Sequence, residues 1–130
     1  MRYNGIVEGI MDNQYEGRKP FDTLQKVKDM MLYAYPALNQ FPKSEKFAMV
    51  ADIKRNMDEM LELCIEYQKK YQNKTTLRNL DIANAKLMAY IQLAHGLKFL
   101  PMKKYEIWSE MLVEIGKMLG WLIKAVNKPA

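Results

Sequence analysis

Apolar residues recur along this chain at spacings of three and four, and alternating β-branched runs are few, so the periodicity is helical. The clearest stripe is Val50, Ile53, Met57, Met60, Leu61, Cys64 and Tyr67. It predicts a helix that starts near Ser44, a good N-cap, and reaches about Tyr71. The opposite face carries Asp52, Arg55, Glu59, Glu62, Glu66 and Lys70, oppositely charged neighbours that suit a side turned to water. Ahead of it, Leu24, Val27 and Met31 mark a shorter helix from Asp22 to about Tyr33. The prolines of "YPALNQFP", Pro36 and Pro42, should stop that helix, because each restricts the residue before it.

The turn "NKTT" follows, and Thr75 or Thr76 can cap a third helix reaching about Phe99. Pro101 suits the first turn of a fourth, which continues to about Asn127 with Tyr105, Trp108, Leu112, Ile115, Leu119, Leu122 and Val126 inward. Glu106, Glu110 and Glu114 precede Lys117, Lys124 and Lys128, an order that complements the helix dipole at both ends. Met57, Met60, Met111 and Met118 fall at or near core positions. Four helices on short turns predict an all-α, up-down four-helix bundle.

The third helix is apolar on two sides. Leu80, Ala83, Leu87, Ile91 and Ala94 should face the core, while Ile82, Ala85, Ala89 and Leu93 lie well round the cylinder. Either its own neighbours cover both stripes, or a second copy of the chain covers the outer one; the subunit interface is the reading taken here. Gly116 and Gly120, one turn apart on the fourth helix, cost roughly 2 kcal/mol of helix propensity together. They are read as packing residues that admit a neighbouring helix, from the same bundle or an adjacent copy.

Composition narrows the class. The chain of 130 residues suits one bundle domain over residues 20–128, after an arm at 1–19 that carries Gly5, Gly9 and Gly17. No run of roughly 20 uncharged apolar residues offers a membrane span. The opening "MRYNGIVEGIMDNQ" has no continuous apolar run of signal-peptide type. One cysteine, Cys64, excludes an intrachain disulfide framework and fits a reducing cytoplasm. Charge is uneven: residues 1–66 hold 9 Lys/Arg against 11 Asp/Glu, and residues 67–130 hold 11 against 4. The basic second half points to an acidic partner, nucleic acid first among candidates, or to a surface kept basic for solubility.

Catalytic chemistry finds little support. His95 is the only histidine, which rules out a multi-histidine zinc site within one chain; beside the core stripe it reads as a hydrogen-bonded structural residue. Cys64 reads as a small buried residue rather than a nucleophile. The glycines match no phosphate loop, and the acidic pairs of the second helix, interleaved with Arg55 and Lys70, read as a solvated face. No catalytic residue, metal or cofactor is expected. The basic residues remain: Lys69, Lys70, Lys74 and Arg78 around one turn, Lys86 and Lys98 on the third helix, Lys103 and Lys104 at the start of the fourth. Repeated around the axis of an oligomer, they would make a concentrated basic surface able to hold phosphates.

Three segments carry a resemblance. "YPALNQFPKSEKFAMVADIKRNMDEML", "LDIANAKLMAYIQLAHGLKFL" and "YEIWSEMLVEIGKMLGWLIKAVNK" are similar to the accessory variability protein, Avd, of diversity-generating retroelements, over about residues 33–128. The ribosomal-RNA intervening-sequence proteins share the bundle, but "AMVADIKRN" stands here where they carry an asparagine-isoleucine-alanine-glutamate-glycine stretch. An Avd-like chain would form a barrel-shaped homopentamer that binds a reverse transcriptase and RNA or cDNA in mutagenic copying, with no catalysis of its own. Carried onto this sequence, the resemblance assigns partner contacts to Lys74, Arg78, Lys86 and Lys98, with Lys103, Lys104 and Lys117 beside them. The alternative is a structural four-helix interaction protein of the intervening-sequence type, with no nucleic-acid role.

Overall fold

The computed structural model describes residues 20–70 and 73–127. The expected arm at 1–19, and the predicted end residues Tyr71 and Lys128, lie outside the described residues. Four α-helices are formed: α1 Pro20–Leu38, α2 Met49–Lys69, α3 Lys74–Gly96 and α4 Met102–Asn127, with a short 3-10 turn at Lys43–Glu45 between α1 and α2. Each helix packs against the next along the chain, and α4 also packs against α1, so the four close round one core.

The stripes of α2, α3 and α4 are the core. Val50, Ile53, Met57, Met60, Cys64 and Tyr67 are buried from α2, and Leu80, Ala83, Leu87, Ile91 and Ala94 from α3. From α4 come Trp108, Leu112, Ile115, Leu119 and Leu122, with Met111 and Met118 also buried. Leu61, Tyr105 and Val126 pack at the margin. Trp108 is fully buried, and its indole Nε1–H donates to the Met30 sulfur of α1 at 3.3 Å, closing α4 onto α1.

α1 corrects the sequence reading in phase and length. Only Val27 of its expected stripe is fully buried; Leu24 and Met31 pack at the edge. The inward positions are Thr23, Lys26, Val27, Met30, Ala34, Ala37 and Leu38, a row whose small and polar members conceal it from a hydropathy reading. Pro36 lies inside the helix rather than ending it. It removes the N–H that would reach Leu32, a loss that matters little two residues before the helix ends. The stop comes from three successive tight bonds, from the N–H groups of Asn39, Gln40 and Phe41 to the carbonyls of Pro36, Ala37 and Leu38.

Two predicted N-caps are replaced by neighbours. Ser44 sits in the 3-10 turn, and α2 starts five residues later, where the Met49 N–H donates to the Glu45 carboxylate at 3.2 Å. Asn73, rather than Thr75 or Thr76, caps α3 by accepting the Thr76 N–H at 3.0 Å. Thr76 is buried, and its hydroxyl donates to Glu66 Oε2 at 2.6 Å, tying the start of α3 to the end of α2. α3 ends at Gly96 rather than near Phe99, and Pro101 precedes α4 as the acceptor of the Tyr105 N–H.

Two buried asparagines pin α3 at mid-height. Asn56 Nδ2 donates to the Ala83 carbonyl and Asn84 Nδ2 to the Leu112 carbonyl, both at 3.0 Å, linking α2 to α3 and α3 to α4. A Cβ at Gly116 would lie 3.5 Å from Asn84 Nδ2, an ordinary contact, whereas one at Gly120 would meet nothing within 4 Å. Within the bundle, then, a methyl group at Gly116 fits against the Asn84 amide, and Gly120 faces no close neighbour. Gly116→Ala should hold or raise stability by up to about 1 kcal/mol. Gly116→Leu should cost about 1–3 kcal/mol by striking Asn84. Equal melting temperatures for the two variants would remove this account of Gly116.

Candidate functional site

The seven basic residues expected to meet a partner do not form one patch. α3 holds 23 residues, about 34 Å at the usual helical rise, and separates them into two corners. Lys74 and Arg78 open α3, across the turn from Lys69 and Lys70. Lys98 lies just beyond the other end, followed by Lys103 and Lys104 in the first turn of α4. Lys86 and Lys117 stand midway along α3 and α4. Lys104 is half-buried and the other six are exposed. At the first corner Lys70 lies 3.8 Å from Glu66, which already accepts from Thr76, so part of its charge is neutralised.

The second corner has an unusual backbone. The N–H of Phe99 donates to the Ala94 carbonyl and that of Lys98 to the His95 carbonyl, both at 2.9 Å, the paired bonds of a Schellman C-cap. That motif places one residue in the left-handed region, where glycine is favoured, and here the residue is Lys98, at φ 67°. It is the one non-glycine residue with positive φ among those described. Gly96 stands two residues too early to take the position. Holding a side chain there costs on the order of 1 kcal/mol.

His95 belongs to the same corner. Its Nδ1 lies 2.9 Å from the Leu100 carbonyl, and the ring stacks on Tyr105 with centroids 4.7 Å apart and planes 6° from parallel. A carbonyl only accepts, so it is Nδ1–H that donates in this bond. The structural role expected of this histidine is the one it plays. Beside it, a pocket of about 320 Å3 is lined by Gln40, His95, Lys98, Phe99, Leu100 and Pro101.

Local electrostatics oppose several of these lysines. The first turns of α3 and α4 contain no acidic residue, yet Lys74 starts one, and Lys103 and Lys104 lie in the other. The expectation that α4 complements its dipole at both ends is therefore corrected at the N-terminus; its last turn does carry Lys124. A cation at a helix N-terminus is disfavoured by about 0.3–1 kcal/mol. With Lys98, four of the seven basic positions are ones where local preference favours a different residue.

The outer stripe of α3 faces away from the core. Ile82 is 65% exposed and Leu93 52%, with Ala85 and Ala89 exposed between them. Lys86, Ala89, Tyr90 and Leu93 line a shallow depression of about 200 Å3, which sets Lys86 on the rim of this apolar strip. A larger groove of about 580 Å3 runs between α1 and α2, lined by Lys28, Met31, Leu32, Tyr35, Pro36 and Leu61, and periodicity gave no sign of it. The Lys54 ammonium lies 5.0 Å from the Tyr35 ring centre there.

Reactive groups are few. Cys64 is buried, and desolvation pushes its thiol up to about 12, leaving it in the unreactive form at neutral pH. Burial also raises the Tyr33 and Tyr67 phenols. Among the described residues, no three His, Cys, Asp or Glu side chains come together as a metal site. No helix among them is long and apolar enough to cross a membrane.

A family model described as bAvd-like matches residues 23–126, which takes in all of α2 and α3 and nearly all of α1 and α4. The chain belongs to the bAvd-like family. No significant match was found among curated proteins or among solved structures. As a bAvd-like chain it is an accessory protein of the Avd type, and the basic corners and bare outer stripe are surfaces of such a protein.

Proposed function

We propose that this bAvd-like chain is a non-enzymatic accessory subunit of a diversity-generating retroelement. It acts in the cytoplasm as a basic homo-oligomeric scaffold for the reverse transcriptase and its template RNA or cDNA. The observation that carries the reading, beside family membership, is the placing of Lys74, Lys98, Lys103 and Lys104. Each stands where the helix dipole or the backbone favours a different residue. Positions that break local preference without benefit to folding are expected where function requires them. An anionic partner supplies that requirement, since phosphates are held at low salt by arrays of such cations.

The outer face of α3 supports assembly. Short connections between helices that pack in chain order support an up-down bundle, in which α3 leaves Ile82, Ala85, Ala89 and Leu93 exposed among the described residues. A barrel-like pentamer would bury that strip, give Gly120 a neighbour, and repeat both basic corners around an axis.

The test is charge reversal at the second corner, which leaves the apolar strip untouched. Lys98→Glu with Lys103→Glu should weaken binding of a labelled single-stranded RNA at least about tenfold at low salt. It should also flatten the slope of log affinity against log salt by about 2. Helicity by circular dichroism should not change. Unaltered RNA affinity would move the contact elsewhere, and wild-type protein that binds neither RNA nor DNA at low salt would end the nucleic-acid reading. Co-purification with the reverse transcriptase tests the other half of the proposal.

A further inference from the structure

The stretch that leads from α1 into α2 holds two aromatic rings in water, each with a lysine ammonium beside it. Phe47 is 87% exposed, the most exposed large apolar side chain among the described residues, and Lys46 Nζ lies 5.4 Å from its ring centre. Tyr35, in the last turn of α1, is also exposed, with Lys54 Nζ at 5.0 Å. Lys43 stands between the two rings in the chain, on the 3-10 turn. Glu45 and Asp52, the acids within this stretch, are engaged: the Glu45 carboxylate accepts the Met49 N–H, and Asp52 pairs with Arg55. Among the described residues, none of Lys43, Lys46 and Lys54 is in an ion pair. The Phe41 ring, just after α1, lies 5.9 Å from Phe99, so the α3–α4 connection with its own lysines sits at the same end of the bundle.

We propose that Phe47 stacks an unpaired base of single-stranded nucleic acid, with Lys43 and Lys46 on the adjoining phosphates and Tyr35 with Lys54 continuing the track. One exposed ring is ordinary on a protein surface. Two rings, each beside a cation free of acidic partners, are the elements of a surface that takes bases on aromatic faces and phosphates on ammonium groups. A base inside a duplex is already stacked on both sides and is not offered to a ring, so the site selects single strands. It takes any of the bases, because each has a π-face. The inference rests on the nucleic-acid reading above and specifies the form of strand that is bound.

The test measures the affinity of the full chain for a short labelled RNA, as a single strand and as a duplex, at low salt. Phe47→Leu should weaken the single strand at least about fivefold, the lower end of what a base stacked on an aromatic side chain is worth. The duplex should change by less than about twofold. Leucine keeps the position apolar, and the side chain is exposed, so folding is not at issue. Phe47→Trp should keep the affinity. Lys46→Ala should flatten the slope of log affinity against log salt by about 0.7, one phosphate contact on a single strand, whereas Phe47→Leu should leave that slope alone. Light scattering should give all three variants the wild-type mass. Unchanged single-strand affinity in Phe47→Leu, or an equal loss on the duplex, overturns this proposal alone. So does a fall in mass, which would make the ring a contact between copies. Wild-type protein that binds no nucleic acid overturns it together with the nucleic-acid reading.

Discussion

Ala89→Glu should reduce the particle found by light scattering to the mass of one 15.3 kDa chain, with helicity unchanged. Ala89 lies at the middle of the outer stripe of α3, exposed in the protomer, so a carboxylate there stays hydrated beside Lys86 in the isolated bundle. In an assembly that buries Ile82 and Leu93 against a second copy, the same carboxylate would be desolvated, with only the rim cation Lys86 nearby. Effective penalties for such a burial amount to several kcal/mol per ion, and a closed ring repeats them at every interface. In such an assembly alanine at 85 and 89 would also set how closely a neighbour could approach, and a longer side chain would force the two apart. A variant that keeps its oligomeric mass would place the interface elsewhere on the bundle. The α1–α2 groove, with Leu32 75% exposed, would be the next face to test.

Trp108→Ala should cost about 3–5 kcal/mol, the range for removing a large buried aromatic side chain. Trp108 is completely buried, and it loses both its packing and the indole bond to the Met30 sulfur that joins α4 to α1. Domains of this size are stable by about 5–15 kcal/mol, so the variant should lose a large share of its margin. Denaturant titration should show the midpoint falling while the slope is kept. A midpoint within a fraction of a molar of wild type would mean that α1 does not depend on this contact.

The sequence reveals the helices best where large apolar side chains mark the inward face. Ile53, Met57, Met60 and Tyr67 on α2, and Leu80, Leu87 and Ile91 on α3, leave little freedom in phase. α1 is mis-phased because its core places are taken by Thr23, Lys26, Ala34 and Ala37, so Leu24 and Met31 outweigh them in any hydropathy sum. Boundaries shift for a similar reason: several residues can cap, and tertiary contact selects among them. Thr76 has the right chemistry for an N-cap, but Glu66 engages its hydroxyl, and Asn73 takes the role. At the other end of α3, Gly96 advertises a C-cap that forms two residues later on Lys98.

The candidate site is legible in kind and not in arrangement. Residue types alone indicate that the second half is basic, and periodicity puts Ile82, Ala85, Ala89 and Leu93 on one face. Neither shows that the lysines gather at two ends of one helix, because that depends on helix length and on where the turns fall. Gln40 carries no motif and joins His95 and Lys98 only through the fold. Asn56 and Asn84 are likewise silent in sequence, since a single polar residue inside an apolar stripe could as well mark a helix edge.

The placing of Cys64 has a practical consequence for anyone handling the protein. The chain's sole sulfhydryl is 1% exposed and burial pushes its pKa up to about 12, so the native fold shields it from both alkylating reagents and air oxidation. Covalent dimers on a non-reducing gel therefore mark molecules that have opened. The rate at which a maleimide dye attaches measures how often the bundle comes apart, without any label having to be engineered in.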